Sequence, residues 1–283
     1  MAIFRALVLG ALVFAALPCA AASARNFALK SNVAYVVDLD TGEAITTKNA
    51  DAIVPVASLT KLMTALVVLE SGLPLDETLE ISGDDRFAAK PTPSKLPAGT
   101  RLTRGQLLML ALMASENRSA MALSRHYPGG RSAFMARMNA KAQELGMSRT
   151  HFSDAAGLSS GNVSTARELH LLMQAAAAQP LIRAYSTQPE AKIRISKRGT
   201  HRFVNSNRLV RRHHWQIEMQ KTGYTSEAGR CLVMQTRVAG RRLAMIFLDS
   251  YGKLTRYGDA SRVRERLESE QRNGGRTAAG ASP

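Results

Sequence analysis

The chain has 283 residues, 45% of them hydrophobic, with 20 glycines and 10 prolines, which allows a sizeable core and excludes a fibrous or wholly disordered protein. Its formal net charge of +16 admits a nucleic-acid partner on charge alone. The two cysteines, Cys19 and Cys231, are too few for a disulfide framework or a cysteine-ligated zinc site.

Met1 to Arg5 is a short basic start, Ala6 to Ala16 a continuous apolar run, and Ala22-Ser23-Ala24 a small-x-small cleavage pattern. Residues 1–24 therefore read as a secretory signal peptide cut after Ala24, because the apolar run is short for a bilayer span. Leu17-Pro18-Cys19 fits a lipidation site poorly because of Pro18. After cleavage only Cys231 remains, inside the apolar run Cys231-Leu232-Val233-Met234, where it reads as a buried core thiol. An exported protein meets anionic polymers and membrane surfaces, so export outweighs charge and argues against nucleic acid.

Lys30 to Asp38 alternates weakly around Tyr35-Val36-Val37, Asp38 to Gly42 is a turn signal, and Glu43 to Thr47 reads as the returning strand of a hairpin. Pro55 precedes an apolar helix that carries Ser58 and Lys61 and stops at Gly72. Leu75 to Ile81 is a candidate short strand, and Asp84 to Gly99, with prolines 91, 93 and 97, a long polar loop. Thr103 with Gln106 three residues on is a capping-box pattern for a helix through Ala114, apolar nearly all round and so central and buried. Ser119 to Tyr127 and Ser132 to Leu145 continue helical, 151–163 is turn-rich, and Ser164 or Thr165 caps a helix ending near Ala178, before Pro180.

From about Ala191 the pattern changes. Lys192 to Ile195 and His201 to Val204 pair as a hairpin, and Asn205-Ser206-Asn207 is a turn. Glu218 to Gly223 leads into a strand, and Cys231 to Thr236 and Arg242 to Asp249 are strands joined at Ala239-Gly240. Arg256 to Glu270 is an Arg/Glu-rich helix, and 271–283 reads as a frayed tail. Two strand groups distant in sequence and flanking helices predict an α/β fold: one sheet with a helical region inserted between its parts. The expected organisation is one domain over 25–270, with sheet regions at about 28–71 and 190–270 and a helical region at about 72–189.

Three short stretches carry chemistry. Ser58 and Lys61 lie three apart on a helical period, so their side chains share a face and can touch. A serine hydroxyl needs an adjacent base, and a lysine whose pKa is lowered by burial can be that base. Ser115-Glu116-Asn117 leaves the buried helix; Ser115 is placed to bond Lys61 and relay a proton, and Asn117 to hold the lysine and a substrate amide. Lys221-Thr222-Gly223 opens the late strand block: Lys221 offers a fixed positive charge, Thr222 a hydroxyl for a substrate carboxylate, and Gly223 close backbone approach. Each stretch alone is common. His151, His201, His213 and His214 show no metal-ligand spacing and read as solvated loop histidines.

In order, the three resemble the penicillin-recognising serine peptidases, whose motifs are S-x-x-K, S-x-N and K-T-G. Ala114 to Ala120, Gly161 to Ala166, Asn207 to Val210, and Gln220 to Tyr224 through Glu227 to Cys231 are similar to the D-alanyl-D-alanine endopeptidase branch, the penicillin-binding protein 7 type. The resemblance implies a penicillin-binding/β-lactamase-like transpeptidase fold, mostly antiparallel, in which Ser58 attacks a D-alanyl carbonyl and Lys61 takes its proton. Backbone N–H groups of Ser58 and Tyr224 would form the oxyanion hole. Ser115 would share in returning the proton, and Asn117, Lys221, Thr222, Gly223 and Tyr224 would bind substrate.

It implies no metal or cofactor, peptidoglycan stem peptides and cross-links as substrate, β-lactams as covalent inhibitors, loose association with membrane or wall enzymes, and a periplasmic location. A class A β-lactamase would carry a deacylating glutamate, and 151–162 has none. The motifs leave endopeptidase and carboxypeptidase open, because a terminal D-alanine and a cross-linked diaminopimelate both present a carboxylate beside the scissile bond.

Overall fold

A computed structural model of the protein describes residues 27–87, 92–196 and 199–279. The expected signal peptide at 1–24 lies outside the described residues. The chain opens with the hairpin β1 (Val33–Asp38) and β2 (Ala44–Lys48), then β3 (Val54–Pro55), a 3-10 turn (Ala57–Thr60) and α1 (Lys61–Glu70). Next come β4 (Thr78–Glu80), β5 (Arg101–Thr103), α2 (Arg104–Met113), α3 (Asn117–Arg125), α4 (Gly130–Glu144), β6 (Val163–Ser164), α5 (Ala166–Ala178) and α6 (Pro180–Thr187). The hairpin β7 (Glu190–Ser196) and β8 (Gly199–Val204) precedes β9 (Gln216–Thr225), β10 (Gly229–Val238), β11 (Arg241–Ser250) and α7 (Thr255–Ala279).

The main sheet has the order β2-β1-β11-β10-β9 and is antiparallel throughout. Of the two N-terminal strands, β1 pairs with β11, some two hundred residues later, and β2 flanks β1 at the sheet edge; helices α1 to α6 lie between in sequence. Period-two alternation sends the apolar side chains to two separate cores. Tyr35, Val37, Val233, Ile246 and Leu248 face the core that also holds α1, α2 and α5; Val36, Leu232, Met234, Met245 and Phe247 face the core built with α7. Burial on both faces explains why β10 and β11 read as continuous apolar runs. α7 contributes Tyr257, Ala260, Val263 and Leu267, an inward stripe at helical spacing.

Thr103 caps α2 as the sequence predicts, with its side chain accepting from Gln106 N and the Gln106 side chain accepting from Thr103 N. Three expectations need correction. Ser58 sits in a 3-10 turn ahead of α1, not in the α-helix itself. Pro180, read as a stop, starts α6, because proline at a helix's first turn gives up an N–H that has no partner there anyway. The last helix runs to Ala279 rather than fraying from residue 271; Arg264–Glu268 and Arg266–Glu270 pairs staple it one turn apart.

The start of the described chain is tied to α7 by one carboxylate. Buried Asp259 accepts from Lys30 N, Ser31 N and Ser31 Oγ at 2.9, 2.7 and 2.5 Å and pairs with Arg262. Asp259→Ala strands these buried donors, so we expect a loss of about 2–3 kcal/mol, read as a lowered denaturant midpoint; an unchanged midpoint would contradict this tether.

Candidate active site

Ser58 is displayed by a turn wedged between two positions that lack a Cβ. Ala57 has φ +48°, a left-handed conformation costly for a residue with a side chain. A Cβ at Gly157 would lie 1.9 Å from the Ala57 carbonyl oxygen, and one at Gly223 would lie 3.1 Å from Ala57 Cβ and 3.2 Å from Ser58 N. Loop 153–162 and strand β9 therefore press on the turn from two sides. The crowding at Gly223 comes from this turn's own backbone, a second reason for glycine beside the expected approach of substrate. A 3-10 turn also eclipses residues i and i+3, which stacks Lys61 against Ser58 more directly than an α-helix would.

Lys61 is fully buried. Its Nζ lies 2.7 Å from Ser58 Oγ, 2.8 Å from Asn117 Oδ1 and 2.6 Å from the Ala156 carbonyl oxygen. A protonated Lys61 donates to all three. A neutral amine has two N–H bonds and a lone pair. The two carbonyl oxygens can only accept, so they take both N–H groups and leave the lone pair facing the Ser58 hydroxyl. Asn117 is itself oriented by donating Nδ2 to Thr92 Oγ1 at 2.9 Å. Burial lowers the Lys61 pKa to about 7, with the Asp154 and Glu116 carboxylates opposing that shift. Burial thus brings the Lys61 pKa close to neutrality, the range that suits a general base.

A second lysine–serine pair faces the first. Lys221, also fully buried, donates to Ser115 Oγ at 2.7 Å and to the Thr222 carbonyl at 2.8 Å. The expectation that Ser115 bonds Lys61 is corrected here. Ser115, in a left-handed conformation at φ +58° between α2 and α3, bonds Lys221, while Asn117, two residues on, takes Lys61. Burial, with the nearby Lys61 and Arg256 charges, pushes Lys221 well below its usual pKa.

The permanent cation is one that sequence reasoning missed. Arg256, at the start of α7, is buried and stacked 4.4 Å over the Tyr257 ring, with Nε and Nη1 unpartnered among the described residues. Burial lowers its pKa, yet a guanidinium stays charged at any working pH. Its sequence signal was only an arginine starting an Arg-rich helix. Thr222 Oγ1 donates to Ser206 Oγ at 2.7 Å. Tyr224, exposed at the rim of β9, carries the Arg230 guanidinium 4.1 Å over its ring. A pocket of about 380 Å³ opens beside Ser115 and Asn117, lined also by Lys95, Glu116 and Phe203.

Loop 153–162 was expected only as turns, yet it closes the site. Asn162 accepts from Ser153 N and Asp154 N and donates to Thr60 Oγ1, fastening the loop to the Ser58 turn. Cys231 is buried and its thiol pushed up to about 12 by burial, which leaves it inert, as its apolar surroundings predict.

Comparisons with known proteins agree on one family. A family model described as D-alanyl-D-alanine carboxypeptidase matches residues 20–252. A D-alanyl-D-alanine endopeptidase from Pseudomonas aeruginosa is 44% identical over 244 residues, 86% of this chain and 79% of that protein. One from Escherichia coli K12 is 44% identical over 250 residues, 88% of this chain and 81% of that protein. The ampicillin-bound structure of penicillin-binding protein D2 from Listeria monocytogenes superimposes with a TM-score of 0.71 at 30% identity, covering 85% of this chain and 98% of that one.

The Lys61 amine accepts a proton only when unprotonated, so the rate of Ser58 acylation by a β-lactam should rise with pH, be half-maximal near the Lys61 pKa of about 7, and level off above it. A rate flat across that range would contradict the assignment of the base.

Proposed function

The chain belongs to the D-alanyl-D-alanine carboxypeptidase family, and from that premise we propose that it is a serine DD-peptidase that hydrolyses D-alanyl–meso-diaminopimelyl cross-links of peptidoglycan through an acyl-enzyme. The observation that carries the reading is the buried Lys61 amine held 2.7 Å from Ser58 Oγ by two carbonyl acceptors. The 44% identity to proteins named endopeptidases supports the choice of bond.

In this reading Ser58 Oγ attacks the D-alanyl carbonyl carbon as its proton passes to Lys61. The developing oxyanion is held by the backbone N–H groups of Ser58 and Tyr224. Arg256 and Thr222 bind the carboxylate beside the scissile bond, with Lys221 next to them. Collapse of the tetrahedral intermediate expels the amine, which takes up the proton that Lys61 accepted, with the Ser115 hydroxyl serving as relay once it turns from Lys221. Water then attacks the ester with Lys61 again as base, releasing the D-alanyl product and restoring Ser58. A β-lactam acylates the same oxygen. Asn117 has two tasks, holding Lys61 and offering an amide to the acyl chain. We further propose export, with cleavage after Ala24 and a periplasmic location, and loose association with membrane or wall enzymes. Among the described residues no helix is long and apolar enough to cross a membrane.

Purified cross-linked muropeptide dimers and monomeric pentapeptides separate the two activities. The wild-type protein should convert dimers to monomers without releasing D-alanine from pentapeptide, and Ser58→Ala should do neither. Selective D-alanine release would establish the carboxypeptidase instead. Arg256→Ala should raise KM for a substrate with a free carboxylate by about 10–100-fold, with a smaller change in kcat, as expected for one lost charge-assisted interaction. An unchanged KM would remove Arg256 from the carboxylate site.

A further inference from the structure

Asp154 takes no direct part in the steps above, yet it is buried at the centre of loop 153–162. Its carboxylate accepts four successive backbone N–H groups. Oδ1 takes Ala156 N and Gly157 N, each at 2.7 Å, and Leu158 N at 3.2 Å. Oδ2 takes Leu158 N at 3.0 Å and Ser159 N at 2.7 Å. Converging peptide N–H groups form a concave nest that favours an anion. Here the anion is a side chain of the same loop, so the nest fixes the loop's shape.

That shape decides where one peptide group sits. The Ala156 N–H points to Asp154, and the Ala156 carbonyl oxygen receives Lys61 Nζ at 2.6 Å and Ser58 Oγ at 3.3 Å. Next in sequence, Gly157 lies against the Ala57 carbonyl, where no Cβ fits. Thr64 Oγ1, one turn further along α1, donates to the Ala155 carbonyl at 2.7 Å. One carboxylate therefore holds the residue that touches both the candidate nucleophile and the candidate base.

We propose that Asp154 is a positioning residue of the reaction: its carboxylate fixes the Ala156 carbonyl that orients the Lys61 amine, and its negative charge acts directly on that amine. The inference rests on the reading of Ser58 as nucleophile and Lys61 as base. The charged groups facing Lys61 are Asp154 from this loop, Glu116 from the start of α3 and Lys221 from β9, with Arg256 of α7 beyond Lys221. Glu116 already accepts from Ser119 N and the Ser94 hydroxyl. Among the described residues the Asp154 side chain is held by backbone N–H groups and forms no ion pair with a cationic side chain.

The sign follows from the chemistry. A nearby anion favours the ammonium form of Lys61, so Asp154 holds the base's pKa up against the burial that lowers it. Removing the charge should let the free amine appear at lower pH. Asparagine keeps an oxygen for Ala156 N and Gly157 N but turns an amide NH2 toward the donors of Leu158 and Ser159. The Ala156 carbonyl should then be less well placed.

The test is the second-order rate of acylation by benzylpenicillin as a function of pH, for wild type, Asp154→Asn and Asp154→Glu, with thermal unfolding followed in parallel. In Asp154→Asn the midpoint should move to lower pH by about half a unit or more and the plateau rate should fall about tenfold. In Asp154→Glu the charge returns, so the midpoint should match wild type while the plateau stays low. A midpoint in Asp154→Asn equal to wild type, whatever the plateau, would overturn the proposal by reducing Asp154 to a loop support. If Asp154→Asn does not fold, Asp154→Glu decides: a wild-type plateau there would overturn it. Wild-type protein that forms no acyl adduct at all would instead sink the serine-peptidase reading, which separates the two failures.

Discussion

The structure depends on the burial of one amine. Lys61 is removed from water and given two carbonyl oxygens and one hydroxyl in place of a carboxylate partner. Burying an ammonium without a paired anion is costly, and the group escapes the cost by giving up its proton. The pKa of about 7 is the result, and it is what makes a lysine usable as a base near neutrality. A salt bridge at this position would stabilise the ammonium and move its pKa away from neutrality.

The surrounding fold can be understood as what keeps that amine dry and aimed. The Ser58 turn is strained at Ala57, and the strain persists because β9 and loop 153–162 close on it through Gly223 and Gly157. The S-x-N segment is strained at Ser115 in the same way and divides its polar groups between two lysines. Two buried amines in one cleft repel one another's protons, and Arg256 adds a third positive field. The cleft thus holds two lysines whose pKa values burial lowers and, at the start of α7, the permanently charged Arg256. That polarity suits a substrate with an electrophilic carbonyl at one point and a carboxylate at the next.

Much of this was legible in the sequence, for identifiable reasons. The capping box at Thr103 and Gln106 and the apolar runs of β10 and β11 are local signals, and they mark their elements. Ser58–Lys61, Ser115–Asn117 and Lys221–Gly223 carry residue types whose chemistry is complementary, and the structure brings all three together. What could not be read was their pairing. Ser115 bonds Lys221 rather than Lys61 because of a left-handed backbone at a serine, which no local pattern signals. Pro180 reads equally as a stop or a start, and tertiary packing chooses. Arg256 and Asp154 matter because of burial and long-range approach; in sequence, one is an arginine among arginines and the other a turn aspartate.

The central claim is that Ser58 is the nucleophile and Lys61 its base. Intact-mass and peptide-mapping mass spectrometry after incubation with benzylpenicillin tests it most directly, in wild type and in Lys61→Met. The account predicts one penicilloyl group per chain, on the peptide containing Ser58, and adduct formation slowed by several orders of magnitude in the lysine variant. An adduct on another residue, or one that forms at the wild-type rate without Lys61, would contradict it.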